Sequence, residues 1–127
     1  MNGDMLDTNV IIKYLSGDQS AKRLIENNNS ISISAIVVGE LQYGAQKSSK
    51  KDANIAMFAE FISDFKIIPV DENVAIIYGT VKEQLRRVGV NIPENDMWIA
   101  ATALSQKSSL LTYDSHISQI NGLNIKN

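Results

Sequence analysis

The stretch Met5-Leu6-Asp7-Thr8-Asn9-Val10-Ile11-Ile12, "MLDTNVII", decides how this chain is read. It is apolar at both ends and carries an acid, a hydroxyl and an amide at its centre. A carboxylate buried without a partner costs several kcal/mol, so a bare structural role is disfavoured. Either Asp7 caps the helix that follows a short strand, or something cationic binds there.

The bulk properties narrow the field. A chain of 127 residues fits one domain, 1–127, that buries roughly two-thirds of its unfolded surface without a metal or disulfide staple. It contains no cysteine, which excludes a thiolate nucleophile, a zinc–cysteine site and a disulfide framework. No apolar run approaches the roughly 20 residues of a membrane span, and no basic, apolar leader opens the chain, so the expectation is a soluble, cytoplasmic protein. Twelve Lys+Arg against fourteen Asp+Glu leave a net charge of −2. A polyanion therefore has to be held by local basic patches or through a bound metal.

Outward from Asp7, apolar β-branched runs alternate with helical periods. Met5-Leu6 reads as a strand, followed by a helix from Thr8 to Leu15 that stops before Gly17. A short helix over Ser20–Asn27 closes at the turn Asn27-Asn28-Asn29. "SISIS" is a strand, and Ser34 caps a helix carrying Val37, Val38, Leu41 and Ala45. Ile55, Phe58, Ala59 and Ile62 recur at helical spacing after the polar loop "KSSKKD". Lys66 to Val70 is a strand, with Pro69 marking its end or an edge position. A helix from Val74 stops at Gly89, and Met97, Ala100, Ala101 and Leu104 mark a helix over Asn95–Lys107. "SLLTY" and "LNIK" are the last strands. Strands separated by helices predict a three-layer α/β/α domain with a mostly parallel central sheet.

In such sheets functional groups gather beyond the carboxyl ends of the strands. Asp7 ends the first strand, and Asp114 follows Leu110-Leu111-Thr112. Glu40 lies in the apolar helix "IVVGEL", and Asp96 opens a helix whose N-terminus comes to the same edge. Each has a plain alternative: Asp7, Asp96 or Asn95 as a helix cap, Asp114-Ser115 as a turn, Glu40 as an exposed helix residue. Taken together they suggest a cluster. Two carboxylates about 5 Å apart repel by roughly 3 kcal/mol at an effective dielectric near 20. A divalent cation relieves this near neutrality, and an all-oxygen set without Cys or His favours Mg²⁺ or Mn²⁺. Such ions typically assist phosphoryl chemistry.

Four segments, "MLDTNVII", "SAIVVGELQYGA", "VGVNIPENDMWIAATAL" and "LLTYDSHI", in this order and spacing, resemble the PIN-domain ribonucleases of the VapC toxin family over nearly the whole chain. The resemblance implies a Mg²⁺- or Mn²⁺-dependent endoribonuclease of a toxin–antitoxin pair, cutting structured RNA such as tRNA or rRNA. Carried over by motif, Asp7, Glu40, Asp96 and Asp114 are the catalytic, metal-binding acids. Asn9 orients Asp7 or a metal-bound water, and Thr112 is a second supporting residue. The resemblance also implies a homodimer silenced by a VapB-like antitoxin, with apolar surface expected around Ile55, Phe58 and Ile62 and around Val37 and Leu41. Two positions depart from the family pattern. The last motif reads Asp114-Ser115-His116-Ile117, without a second acid and with a histidine near the site. Asp4 stands where the family's first strand is usually apolar, and is expected to be an exposed N-terminal residue.

The remaining candidates have two readings each. His116 is a surface loop residue or a proton carrier. Trp98 belongs to core or interface, or forms a base-stacking platform. Lys82, Arg86 and Arg87 contact RNA phosphates or form a solvated helix end, and the "KSSKK" loop is equally open. A haloacid-dehalogenase-like phosphatase needs a second Asp two residues after the first, where this chain has Asn9. A non-catalytic phospho-acceptor or binding module does not require Glu40 in an apolar helix.

Overall fold

The computed structural model describes residues 3–28 and 30–127, so Asn29 of the expected turn lies outside the described residues. In chain order the elements are β1 (Asp4–Leu6), α1 (Thr8–Leu15), α2 (Gln19–Glu26), β2 (Ile31–Ser34), α3 (Ala35–Gln46) and α4 (Lys51–Ile62). They continue with β3 (Lys66–Ile68), α5 (Glu72–Val88), α6 (Glu94–Ser105), β4 (Ser109–Leu111), a 3₁₀ turn (Ser115–Gln119) and β5 (Ile125–Lys126).

β1 is short, and everything else is arranged around it. Its three residues pair in parallel with Ile31, Ser32 and Ile33 on one side and with Ser109, Leu110 and Leu111 on the other. The sheet runs β3-β2-β1-β4-β5 and all its pairings are parallel. Because successive strands first move away from β1 on one side and then jump to its other side, the strand order reverses between β1 and β4. Right-handed crossovers then place α1–α4 on one face and α5 and α6 on the other. Most helix contacts follow this division: α1 meets α2 and α3, α3 meets α4, and α5 packs along α6, while α3 also touches α6, where Asn95 reaches Glu40.

Residues of a strand covered on both faces must all be apolar or paired. Met5, Leu6, Ile33, Leu110 and Leu111 are accordingly fully buried, with Val10, Ile11, Val37, Ala100 and Ala103 packed over them. Ser34 caps α3 as expected, accepting from the Ile36 N–H at 3.1 Å. α5 ends where Gly89 takes φ 73°, a left-handed conformation that glycine adopts without steric cost.

The later strands are shorter than the sequence suggests, while β1 begins one residue earlier, at Asp4. The third stops at Ile68 before Pro69, on the sheet edge, and the fourth at Leu111, although the Thr112 N–H still donates to the Lys126 carbonyl at 3.1 Å while its hydroxyl serves side-chain contacts. Two expectations are overturned. Val37 and Leu41 are core, 0% and 2% exposed, and offer no surface to a partner, because α3 lies against the sheet and α4. Asp4 is not an exposed terminal residue: it is 5% exposed and paired with Lys126 Nζ at 3.0 Å. β5 closes over the sheet edge and carries Lys126 to it, and the same ammonium reaches Asn28 Oδ1 at 3.1 Å.

This pair generates a prediction with an order to it. Lys126→Met leaves a buried carboxylate without its cation and should lower stability by about 1–2 kcal/mol, whereas Asp4→Asn, which releases a half-exposed ammonium to water, should cost less. Urea denaturation of both variants measures the order, and an Asp4→Asn variant that is the less stable of the two contradicts it.

Candidate active site

The reversal of strand order opens a crevice beyond the carboxyl ends of β1 and β4, where parallel α/β sheets bind ligands. In this chain it is a cleft of about 740 Å³ lined by Asp7, Glu40, Asp96 and Asp114, together with Thr8, Asn9 and Asn95 and part of α3. The four acids come from four separate segments, and each is positioned by a different local device.

Asp7 occupies the N-cap of α1 in extended conformation, and its Oδ1 accepts from the Thr8 N–H at 2.8 Å. Its Oδ2 accepts from the Thr112 hydroxyl at 2.7 Å. Capping and a second role therefore coexist: each oxygen has one protein donor, which leaves each with a lone pair uncommitted. At 5% exposure, burial drives the Asp7 pKa upward; the bonds from Thr112 and Thr8 oppose this, and the charges of Glu40 and Asp114 add to it.

Thr112 is the hub of the site. Its hydroxyl donates to Asp7 and accepts from the Asp114 N–H at 3.0 Å and from Asn9 Nδ2 at 3.4 Å. Asn9 Oδ1 in turn accepts from the Tyr113 N–H at 3.2 Å. Asn9 thus reaches Asp7 through Thr112. Its amide is spent on clamping the chain after β4 onto α1.

Glu40 is half-buried, and its two oxygens accept from Thr8 Oγ1 at 2.5 Å and Asn95 Nδ2 at 3.3 Å. Thr8 and Asn95 were not anticipated as site residues. The only sequence signal was their adjacency to Asp7 and Asp96. Asp96 sits in the first turn of α6, which has no side-chain cap. Burial, followed by the charges of Asp7, Asp114 and Glu40, pushes its pKa up to about 6. Asp114 starts the 3₁₀ turn, accepting from the His116 N–H at 2.9 Å, so the turn expected there is present as well. His116 is a surface residue whose side chain is 79% exposed, with Nδ1 3.2 Å from Asp114 Oδ1.

The other candidates lie elsewhere. Trp98 stacks on Tyr78, ring centroids 3.8 Å apart and planes within 2°, so it is committed to the α5–α6 seam. Lys82 pairs with Glu94 at 2.9 Å, and Arg86 and Arg87 share Glu83 at 2.7 and 3.0 Å. Those arginines hold Glu83 down at about 2. None of the three basic residues lines the acid cleft; they border a separate hollow between α5 and α6 or the outer face of α5.

A hard divalent cation fits the donor set: the four acids offer oxygen only, and burial, with the neighbouring carboxylates adding to it, raises two of them. As the side chains stand, among the described residues no three of them converge tightly enough to clasp an ion.

Comparison with known proteins bears on this cleft. Residues 5–123 match the PIN domain family. The chain is 36% identical over 112 residues to "Ribonuclease VapC2" of Rickettsia felis, covering 85% of this chain and 84% of that one. It is 33% identical over 110 residues to "tRNA(fMet)-specific endonuclease VapC" of Salmonella typhimurium, covering 85% and 83%. Its fold is similar to the crystal structure of VapBC2 from Rickettsia felis bound to a promoter DNA fragment, with a TM-score of 0.91 and 32% identity over 98% of this chain and 97% of that one. DNA-bound VapBC from Salmonella typhimurium gives 0.90 and 31%, over 99% and 98%.

Two outcomes test this geometry. Thr112→Val keeps the shape but strands the Asp114 N–H and removes a donor from buried Asp7, so it should cost about 1–3 kcal/mol in urea denaturation; a loss within about 0.5 kcal/mol contradicts the hub assignment. The second concerns pH. An acid whose folded pKa is raised binds its proton more tightly in the folded state, so its contribution is complete below the unfolded value of 3.8 and disappears as pH rises through about 6. In EDTA the melting temperature should therefore fall between pH 4.5 and 7, and Asp96→Asn should flatten that fall. An equally steep profile in the variant removes Asp96 as its source.

Proposed function

The chain belongs to the PIN-domain family, and we propose that it is the endoribonuclease toxin of a VapBC-type toxin–antitoxin pair, a Mg²⁺- or Mn²⁺-dependent enzyme that hydrolyses phosphodiester bonds in structured RNA. The observation that carries the reading is the convergence of Asp7, Glu40, Asp96 and Asp114, each from a different segment, on one cleft at the reversal of strand order. Relatives named ribonuclease or endonuclease VapC support the reaction class. Structures of VapBC complexes support a VapB-like antitoxin as partner. Residues 1–127 act as one domain. Among the described residues no helix is long and apolar enough to cross a membrane, in keeping with work in the cytoplasm, where RNA such as tRNA or rRNA is met.

Asp7, Asp96 and Asp114 would hold the cation, and Glu40 would complete the ligand set or accept a proton from water. When bound, the ion supplies water activation and charge relief at the phosphate. The residues of the chain do the rest. The Thr8 N–H and the Thr112 hydroxyl hold Asp7 in one rotamer, so its free lone pairs keep a constant position. Thr8 and Asn95 fix Glu40 on the opposite wall, and proton transfer requires such a carboxylate within hydrogen-bonding reach of the water. In-line attack on the phosphodiester leaves a 5′-phosphate and a 3′-hydroxyl. The phosphatase alternative receives no support, because Asn9 is engaged by Tyr113 and Thr112 and supplies no acid. A homodimer would use surface other than buried Val37 and Leu41; Ile55, Phe58 and Ile62 on α4 remain half-buried candidates.

The test separates function from folding. Purified protein should cut RNA in Mg²⁺ or Mn²⁺ and stop in excess EDTA, and Asp7→Asn should lower cleavage by at least 100-fold, on the order of the loss of one essential electrostatic group. In EDTA the same variant should melt within a few degrees of the wild type, since the repulsion it removes offsets the one hydrogen bond that an amide NH2 cannot accept. Cleavage that persists in EDTA, or an Asp7→Asn enzyme that melts several degrees lower yet cuts at the wild-type rate, overturns the reading.

A further inference from the structure

The acids occupy only one end of the cleft. Its other end is built by α3, which presents Ile36, Gly39, Tyr43, Gly44 and Lys47 beside Glu40. Glu40, Tyr43 and Lys47 are spaced i, i+3 and i+7, which places them on one stripe of the helix. At 1.5 Å rise per residue, the ring lies about 4.5 Å along the axis from the Glu40 position and the lysine about 6 Å further.

Tyr43 has no core role. It is 66% exposed, the most exposed large apolar side chain among the described residues, although a tyrosine of its size gains stability from burial. Lys47 Nζ lies over one face of its ring, 4.8 Å from the centroid, so a base would stack on the opposite face, and Lys47 is the one cation among the described residues that line the cleft. Other cations considered for RNA, Lys82, Arg86 and Arg87, are paired to Glu94 and Glu83. A Cβ built on Gly39 or on Gly44 would meet nothing within 4 Å, so the space beside the ring is open.

We propose that Tyr43 and Lys47 form a subsite for the nucleotide next to the cut, with an unpaired base stacked on the Tyr43 ring and its phosphate neutralised by Lys47. The proposal rests on the nuclease reading and deepens it. An exposed aromatic face accepts any base but needs that base free of a duplex stack, as single-stranded recognition generally does. The subsite therefore selects unpaired segments of a structured RNA, loops and ends, over paired ones. A strand entering here places its charge on the lysine before its backbone reaches the acids. The order along α3, cation, ring, carboxylate, is that of phosphate, base and reacting phosphate.

Two assays on wild type, Tyr43→Phe, Tyr43→Leu and Lys47→Gln test this. In the first, a 12-nucleotide single-stranded RNA carrying 2-aminopurine is titrated with each protein in the uncleaving Asp7→Asn background with Mg²⁺. Wild-type ring and Tyr43→Phe should quench the fluorophore by stacking, and Tyr43→Leu should not. Lys47→Gln should keep the quench while making the dependence of log affinity on log salt shallower by about 0.7, one phosphate contact on a single strand. In the second, a stem-loop RNA and its fully paired counterpart are cut in Mn²⁺. Tyr43→Leu should raise KM for the loop and lower kcat/KM on the order of 10- to 100-fold, with kcat nearly unchanged, and Tyr43→Phe should stay within about 2-fold.

Absence of quenching by the wild-type ring overturns the subsite whether or not RNA is cut. So does a Tyr43→Leu enzyme with wild-type kcat/KM on the loop. If that variant keeps its RNA kinetics but escapes inhibition by a co-purified antitoxin, the ledge is a protein-docking surface instead. Quenching that depends on Tyr43 in a wild-type protein that cuts neither RNA supports the subsite while the nuclease reading falls.

Discussion

The hydroxyl of Thr112 joins the two strand ends on which the cleft is built. It donates to Asp7 after β1 and accepts from the backbone of Asp114 after β4, and Asn9 clamps the same segment from α1. Thr112 and Asp7 are both buried, so these bonds form where water cannot replace them, and an unmade bond there leaves a polar group fully desolvated. The hub thus does two kinds of work. It ties the segment after β4 to the segment after β1, and it holds a carboxylate in place against a repulsive field.

That field is the second constraint on the molecule. Four acids share a cleft in a protein of net charge −2, and burial raises two of them further. Without a cation the arrangement is frustrated, and its cost is met by the uninterrupted core of Met5, Leu6, Leu110 and Leu111 beneath it. Stability and site chemistry are therefore set against each other at the same strand ends, a common pattern where function is grafted onto a rigid scaffold. The basic residues show the converse. Most of the cations near α5 are already paired on the surface, which leaves Lys47 as the one cation among the described residues that line the cleft.

Much of this was legible in the linear chain. Alternation of β-branched runs with helical periods, Ser34 as a cap, Gly89 as a stop and Pro69 at an edge are local signals, and local physics alone produces them. The acids were legible for the same reason: each interrupts an apolar context, follows a strand or, for Asp96, opens a helix. Thr8 and Asn95 were not, because nothing about a threonine or an asparagine marks it until the carboxylate it holds is brought near. Asp4 and Val37 were misread because burial is a property of neighbours distant in sequence. Lys126, 122 positions after Asp4, is what makes a buried acid tolerable.

By itself the sequence determined the element types and the α/β class and singled out four acids that line one cleft, since periodicity, capping and the position of an ionisable group are statements about adjacent residues. Only the tertiary structure decided that Asn9 acts through Thr112, that Trp98 and the α5 cations are occupied elsewhere, and that Tyr43 stands open beside Glu40. The physical reason is that hydrogen-bond partnership, desolvation and exposure depend on which segments the sheet order brings together, and the reversal between β1 and β4 is not written in any one of them.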